Sequence, residues 1–299
     1  MRDSDIERVI GVPPRIAFAD IVAHPRLAEA RKVYIDRFLE VYGGDRFVVR
    51  LLLESGRVLV YLIAAVLEAA QDLARRETWV TVGLLKKTMA MFGLASGRQI
   101  DHLVARLCEV GYMELRPSEQ DGRIRILSPT EKLRAHDRAW LAAHFAPLTI
   151  LYPQHDYGPV MRREPQIQAA HRRAALPILP LAAEILQLGP DMMLFLNRAA
   201  GYPILAALRQ AAMRQGGDAP VAVPYAEIGD RFGVSRTHIR ALLTDAETSG
   251  LVKLHARGGR SVEILPRLWA SHDRGVAGGM YLNDIIYVAA TGQLRAATG

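Results

Sequence analysis

Residues 80–133 read VTVGLLKKTMAMFGLASGRQIDHLVARLCEVGYMELRPSEQDGRIRILSPTEKL, a pattern that predicts two helices joined by a tight turn and followed by a hairpin. Gly93 can adopt the positive φ with which helices often end, and Ser96 can cap the helix that follows. This second helix, predicted over 97–110, carries one apolar stripe at helical spacing. The stripe consists of Ile100, Leu103, Val104, Leu107 and Cys108. Strands are predicted at 112–115 and 123–127, with a polar loop between them.

The same pattern recurs at 221–268, VAVPYAEIGDRFGVSRTHIRALLTDAETSGLVKLHARGGRSVEILPRL. Gly93 matches Gly233 and Ile100 matches Ile239, so the second copy lies about 140 residues after the first, and its second helix is predicted over 236–249. A repeat of this length decides the domain organisation. We predict an N-terminal arm at 1–25, which its prolines should keep loose, a first domain at 26–145, a linker at 146–164 and a second domain at 165–299.

A helix-turn-helix followed by a hairpin is the element order of the winged helix. The second helix of such a module can lie in a DNA major groove while the hairpin reaches the backbone or the minor groove. The expected fold class is therefore mostly α with small β-hairpin wings, in tandem winged-helix domains.

Composition is compatible with this prediction and excludes other classes. The chain has 299 residues, of which 50% are apolar, and its formal net charge is +7, an excess that suits a nucleic-acid partner without proving one. One cysteine excludes an internal disulfide. The longest apolar run, 58–67, is too short for a membrane helix, and the N-terminal residues do not read as a signal peptide. We expect a cytoplasmic protein.

Motifs for catalysis or metal binding are missing from the sequence. It contains no phosphate-binding loop, dinucleotide fingerprint, nucleophile elbow or paired-histidine zinc motif, so we expect neither an enzyme nor a cofactor. His136-Asp137-Arg138 and His272-Asp273-Arg274 do repeat. Three successive residues on a helix point in different directions, so we interpret them as a surface ion pair or a contact between the copies rather than a metal site.

The first copy resembles the MarR family of bacterial transcriptional regulators. The recognition-helix pattern of the family is matched by the run from Ile100 to Glu114. The wing carries Asp121-Gly-Arg123, and the next helix opens with Leu127-Ser-Pro-Thr-Glu-Lys132. The resemblance covers 50–140 and, less closely, 190–275. It implies a DNA-binding protein in which two modules, usually on separate chains, form a pseudo-two-fold intramolecular dimer joined by the flanking helices. It also implies that a small-molecule effector could bind between the lobes.

Candidate DNA contacts lie at the start of each second helix and in each wing. Arginine can bond guanine and glutamine can bond adenine in the major groove, while arginine is also favoured in the minor groove. The candidates in the first copy are Ser96, Arg98, Gln99, His102, Arg123 and Arg125. Those in the second copy are Ser235, Arg236, Thr237, His238, Arg240, Arg257 and Arg260. Arg123 could instead pair with Asp121 and shape the wing.

The function predicted from these features is sequence-specific binding of double-stranded DNA at an imperfect palindrome, as a transcriptional regulator. Two alternatives remain open. A plasmid-type replication initiator also carries two winged-helix modules, and a winged helix can serve as a protein-interaction module without DNA binding. Acidic residues in the first copy, among them Asp101 and Glu109, keep the second alternative open.

Overall fold

The computed structural model describes residues 3–11, 13–42, 51–52, 55–186, 189, 191–216, 219–255 and 260–298. The chain is mostly helical, with two small antiparallel hairpins, as the sequence predicted. The first four labelled helices are α1 (Asp3–Ile10), α2 (Phe18–Ala23), α3 (Leu27–Tyr42) and α4 (Ser55–Ala69). None of the described helices is long and apolar enough to cross a bilayer.

The prediction of a loose N-terminal arm is wrong. Residues 3–10 and 18–23 are helical, and Ile6, Ile16 and Ile21 are buried. Arg15, between these helices, donates two hydrogen bonds to Asp284 near the C-terminus, at 2.6 and 2.8 Å. The prolines do interrupt the helix, but apolar burial and this long-range ion pair hold the segment against the body of the protein.

The first helix-turn-helix consists of α5 (Val82–Met89), a 3-10 turn (Ala90–Phe92) and α6 (Gly97–Glu109). Gly93 ends the turn at φ +65°, the conformation that its position required. The hairpin follows as β1 (Met113–Pro117) and β2 (Arg125–Pro129), paired antiparallel with Leu115 opposite Leu127. Leu127 N–H also donates to the carbonyl of Val80 at 2.7 Å, which ties the chain before α5 to the hairpin.

About half of the predicted linker at 146–164 is helical. Helix α7 (Glu131–Leu151) continues through Pro147, and α8 (Gly158–Met161) lies in the remainder. A proline inside a helix removes one hydrogen bond, but Phe145 and Leu148 on either side are fully buried, so packing outweighs that loss. Then come α9 (Pro165–Ala175), a 3-10 turn (Leu176–Ile178), α10 (Leu179–Leu186) and α11 (Met192–Leu196).

The second helix-turn-helix repeats the order of the first. Its two helices are α13 (Tyr225–Phe232) and α14 (Arg236–Thr248). They are preceded by α12 (Gly201–Arg214) and β3 (Val221–Ala222), and followed by β4 (Val252–His255) and β5 (Ser261–Ile264). The three strands form one sheet in the order β3-β5-β4. The last helix, α15 (Pro266–Thr298), runs unbroken through Gly278-Gly279.

The two halves pack in a reciprocal way. Helix α3 packs on α7 of its own half and on α12 of the other, whereas α9 packs on α15 of its own half and on α4 of the other. By position in the repeat, α3 corresponds to α9, α4 to α12 and α7 to α15, so the second set of contacts mirrors the first. The buried apolar residues of both halves belong to one contiguous core.

Candidate nucleic-acid interface

Helix α6 is fixed at its N-terminus by a reciprocal capping box. The backbone N–H of Gln99 donates to Ser96 Oγ at 3.3 Å, and the N–H of Ser96 donates to Gln99 Oε1 at 2.7 Å. The opposite stripe holds the helix in the core, with Ile100, Leu103 and Leu107 buried. Ser96 and Gln99, both predicted DNA contacts, therefore also set where the helix begins.

The solvent face of α6 carries Arg98, His102 and Arg106 at four-residue spacing, all exposed. They line a groove of about 620 Å³ between α6 and the start of α4, to which Arg57 also contributes. Two carboxylates on this helix have cationic partners. Lys86 Nζ lies 2.6 Å from Asp101 Oδ1, and Arg106 Nη1 lies 2.5 Å from Glu109 Oε2. These ion pairs reduce the negative field of Asp101 and Glu109, the residues that keep the protein-interaction alternative open.

The first hairpin is shaped by Asp121, although not through the Arg123 side chain that the sequence analysis considered. Asp121 Oδ2 pairs with Arg76 at 3.0 Å, and its Oδ1 accepts from the backbone N–H of Arg123 at 3.1 Å. The Arg123 side chain stays exposed. Arg125 is exposed as well, and its guanidinium donates to the carbonyl of Leu115 at 2.7 Å, across the hairpin.

Helix α14 is capped by Ser235, whose Oγ accepts from the backbone N–H of His238 at 3.1 Å. Arg236, Thr237 and Arg240 are exposed on its first turns. His238 lies differently, because its Nε2–H donates to the carbonyl of Ala199 at 2.8 Å and the ring is thereby turned toward the loop before α12. Of the four predicted DNA contacts after the cap, Arg236, Thr237 and Arg240 are therefore exposed to solvent, whereas His238 forms a hydrogen bond within the protein.

The second hairpin is held to the segment before α13 by backbone pairing. Val223 N–H donates to the carbonyl of Arg260 at 2.7 Å, and the Arg260 side chain is exposed. His255 Nε2 and Glu263 Oε2, on the facing strands, lie 2.8 Å apart. Arg257, the remaining predicted contact, lies outside the described residues.

The repeated histidine-aspartate motif lies between the halves, as one of its two interpretations predicted. Arg172 on α9 donates to both carboxylate oxygens of Asp137 on α7, and Arg31 on α3 pairs with Asp273 on α15 at 2.6 Å. Each pair joins one half to the other. A metal is not needed to explain why the motif occurs twice.

A second set of polar residues between the halves was missed by the sequence analysis. Tyr202 Oη lies 3.1 Å from Tyr34 Oη and 3.2 Å from His272 Nε2, and Tyr34 Oη lies 3.4 Å from His144 Nε2. Burial lowers the pKa of His272 to about 3 and that of His144 to about 4, so both rings are neutral near pH 7. In the sequence these residues have apolar neighbours, which indicates burial. That pattern does not distinguish a buried side chain that forms a hydrogen bond from one that only packs.

Comparisons with known proteins add nothing to this geometry: no family model matches the chain, and neither a curated protein nor a solved structure matches it. The candidate interface therefore stands on the described residues alone, as two capped helices that present exposed cations and two hairpins beside them.

Proposed function

We propose that the chain binds double-stranded DNA as a transcriptional regulator. In this proposal the two helix-turn-helix units with their hairpins are tandem winged-helix modules, α6 and α14 enter successive major grooves, and the hairpins reach the backbone or the minor groove. The reciprocal packing of α3 and α9 supports an approximate two-fold relation between the modules.

The observation that carries the proposal is the exposed first turn of each second helix. Both helices begin at a serine cap, Ser96 or Ser235, and both bury the opposite stripe. Arg98 follows the first cap by two residues, and Arg236 follows the second directly. Arginines on the first turn of such a helix can reach guanine O6 and N7 once the helix lies in the groove.

Equivalent positions of the two helices carry different side chains. Counted from the serine caps, Arg98 corresponds to Thr237 and Asp101 corresponds to Arg240. The two half-sites therefore differ in sequence, and we expect an imperfect palindrome with half-sites about one helical turn apart. A strictly symmetric site recovered by selection from random DNA would contradict this expectation.

The wings contribute affinity more than sequence selection. Arg123 and Arg260 are exposed cations that precede the second strand of their hairpins, where phosphate contacts release counterions. Binding should therefore weaken steeply as the salt concentration rises. Arg123→Ala should reduce the slope of log K against log salt by about one if this side chain contacts a phosphate.

The test is fluorescence anisotropy with labelled fragments of the DNA upstream of the gene, in a salt series. We compare the wild type with Arg98→Ala, with Arg236→Ala and with the matched control Arg37→Ala. Arg37 is an exposed arginine on α3 that pairs with Glu40, so the control removes the same charge away from the proposed interface. Each change in α6 or α14 should weaken binding by about 1–3 kcal/mol, and the control should have little effect.

The outcomes separate the interpretations. If Arg236→Ala alone weakens binding, the second module reads DNA and the first does not. Equal losses in all three variants would show a general charge effect and contradict the proposed interface. If neither upstream fragments nor selected random DNA bind, the proposal fails, and a protein-interaction role for the two modules is favoured.

A further inference from the structure

Arg209 on α12 is fully buried, and the described residues around it do not balance its charge. Its guanidinium donates to Asp273 on α15 at 3.1 Å, and Asp273 also pairs with Arg31 on α3 at 2.6 Å. Two arginines therefore share one carboxylate, and we call these three residues the Arg209 cluster. Burial lowers the pKa of Arg209 to about 10, so the side chain is still cationic near pH 7.

Three buried nitrogens of the Arg209 cluster have no hydrogen-bond partner among the described residues. They are Arg209 Nε, Arg209 Nη1 and Arg31 Nε. The Trp269 ring contacts both guanidiniums, with its centroid 3.9 Å from Arg209 Cζ and 4.9 Å from Arg31 Cζ. A cation–π contact of this kind attracts the positive charge but does not neutralise it. Since buried donors are nearly always paired, these three nitrogens indicate that the cluster binds an acceptor.

Neighbouring groups in the described part of the chain do not supply the missing negative charge. His272 lies in the same contact, but burial lowers its pKa to about 3, so the ring is neutral near pH 7. Asp36, the next carboxylate along α3, pairs with Lys32 at 3.5 Å and accepts from Gln210 at 2.6 Å. The Arg209 cluster therefore keeps an excess of one positive charge in a largely buried contact between the halves.

The related contact on the other side of the protein is balanced. There Arg172 on α9 and Asp137 on α7 form one buried pair, and Gln168 donates to the same carboxylate. The third group at that carboxylate is a neutral amide rather than a second arginine. The excess charge is thus specific to one of two related contacts, and the balanced contact shows that packing of the halves does not require it.

One edge of the Arg209 cluster reaches the protein surface. The side chains of Arg31 and Asp273 are 19% and 18% exposed, whereas that of Arg209 is 0% exposed. An ion from solvent can therefore approach the buried guanidinium past Arg31 while the chain stays folded. A small ion is favoured over a large one, because both guanidiniums hold the same carboxylate and contact the same ring.

We propose that the Arg209 cluster binds one small monovalent anion, such as chloride, between α3, α12 and α15. The anion accepts hydrogen bonds from the unpaired N–H groups of Arg209 and Arg31, and its single charge balances the excess of one. Because α3 belongs to the first half and α12 and α15 belong to the second, the bound anion stabilises the contact between the halves. This site does not rest on the proposed DNA binding and is tested without DNA.

Urea denaturation of the full chain measures whether the folded protein binds chloride. Sodium chloride replaces sodium gluconate stepwise at a constant ionic strength of about 0.15 M, so that only the identity of the anion changes. The equilibrium constant of unfolding of the wild type should fall as chloride rises. Well above the dissociation constant it should fall about tenfold for each tenfold rise in chloride, as expected for one bound ion.

Replacing Arg209 separates this site from a general effect of salt. Arg209→Met removes the excess charge and two of the three unpaired nitrogens, and it leaves Arg31 paired with Asp273. The response to chloride should be lost in this variant. Arg37→Met is the matched control and should respond as the wild type does, since Arg37 is an exposed arginine on α3 that pairs with Glu40. Arg209→Gln, which also removes the charge, is the second variant should Arg209→Met not fold.

Bromide locates the ion in crystals of the wild type, because it replaces chloride and scatters anomalously. An anomalous peak in contact with the side-chain nitrogens of Arg209 and Arg31 is expected. The proposal is overturned if the wild type unfolds equally in chloride and in gluconate, or if a folded Arg209 variant responds to chloride as strongly as the wild type. It is also overturned if bromide is absent from the Arg209 cluster, a result that decides alone if neither variant folds.

Discussion

Replacing Asp137 by asparagine is expected to destabilise the protein by about 3–5 kcal/mol. Asp137 on α7 is 1% exposed, and its partner Arg172 on α9 is 6% exposed. The carboxylate accepts from Arg172 Nε at 3.0 Å and from Gln168 Nε2 at 2.6 Å, in addition to the second bond from Arg172. The amide that replaces the carboxylate would keep its shape and one acceptor oxygen but would leave the guanidinium as an uncompensated buried charge.

The magnitude follows from burial rather than from the bond count. Glu40, the partner of Arg37 on α3, forms a comparable ion pair at 2.8 Å, but its side chain is 62% exposed. Glu40→Gln should therefore cost about 0–1 kcal/mol, because water replaces the lost partner. Both changes remove one negative charge from a carboxylate–arginine ion pair. The difference between their losses of unfolding free energy therefore measures how much burial adds to the cost.

Urea denaturation followed by circular dichroism gives the free energies. At roughly 2 °C per kcal/mol for a chain of this length, Asp137→Asn should lower Tm by about 6–10 °C. Combining it with Arg172→Met removes both charges, and the double variant should be more stable than Asp137→Asn alone. A loss below about 1 kcal/mol for Asp137→Asn would refute the buried pair. A double variant no more stable than Asp137→Asn alone would refute uncompensated charge as the cause.

Three further predictions concern the histidines, the close glycine contact and the first cap. Because the folded-state pKa values of His272 and His144 lie near 3 and 4 while unfolded histidine titrates near 6.5, stability should be constant above about pH 7. These two histidines alone should lower it by up to about 2.7 kcal/mol per pH unit between pH 6 and 5, and buried His171, whose pKa is also far below that of a free histidine, adds to the fall, measured by urea denaturation at each pH. Gly229→Ala should destabilise by about 1–3 kcal/mol, since its Cβ would lie 2.7 Å from a backbone carbonyl oxygen, whereas Gly279→Ala should stabilise by about 0.5–1 kcal/mol; thermal melts of both variants decide this. Ser96→Ala should cost about 0.5–2 kcal/mol in the same melts through loss of the capping box, and a change below about 0.3 kcal/mol would show that the cap is not needed.

Local signals predicted the helix-turn-helix units well. Three features acted as such signals: the serine caps, the glycines after α5 and α13, and the apolar stripe of α6. Each determines structure within a few residues, so the local sequence is sufficient to predict these helices and turns. The helix predicted over 97–110 is observed as Gly97–Glu109, and Gly233 has φ +69° as the second turn required. Whether these helices contact DNA stays a prediction.

Features that depend on distant partners were not predictable. The prolines near residue 13 favoured a loose arm, but Asp284, about 270 residues away, fixes that segment through Arg15. Two successive glycines, Gly278 and Gly279, locally disfavour a helix, yet α15 continues because Ala277 and Met280 on either side are buried. In each case a tertiary contact outweighs a local preference of about 1 kcal/mol per glycine, or about 3 kcal/mol per proline.

The polar residues between the halves show the same limit more sharply. Tyr34 and Tyr202 are separated by 168 residues and His144 and His272 by 128, and only the packing of the halves brings all four together. No periodic pattern in the sequence predicts that these four residues lie close together.

The reciprocal packing of α3 and α9 has a consequence for behaviour on dilution. A protein assembled from two identical chains separates when its concentration falls below the dissociation constant, and its apparent stability then depends on concentration. Here a covalent connection keeps the two halves at a fixed, high effective concentration. The contacts of Arg31 with Asp273 and of Arg172 with Asp137 therefore persist when a cell holds only a few copies, and exchange of a half with a related chain is disfavoured.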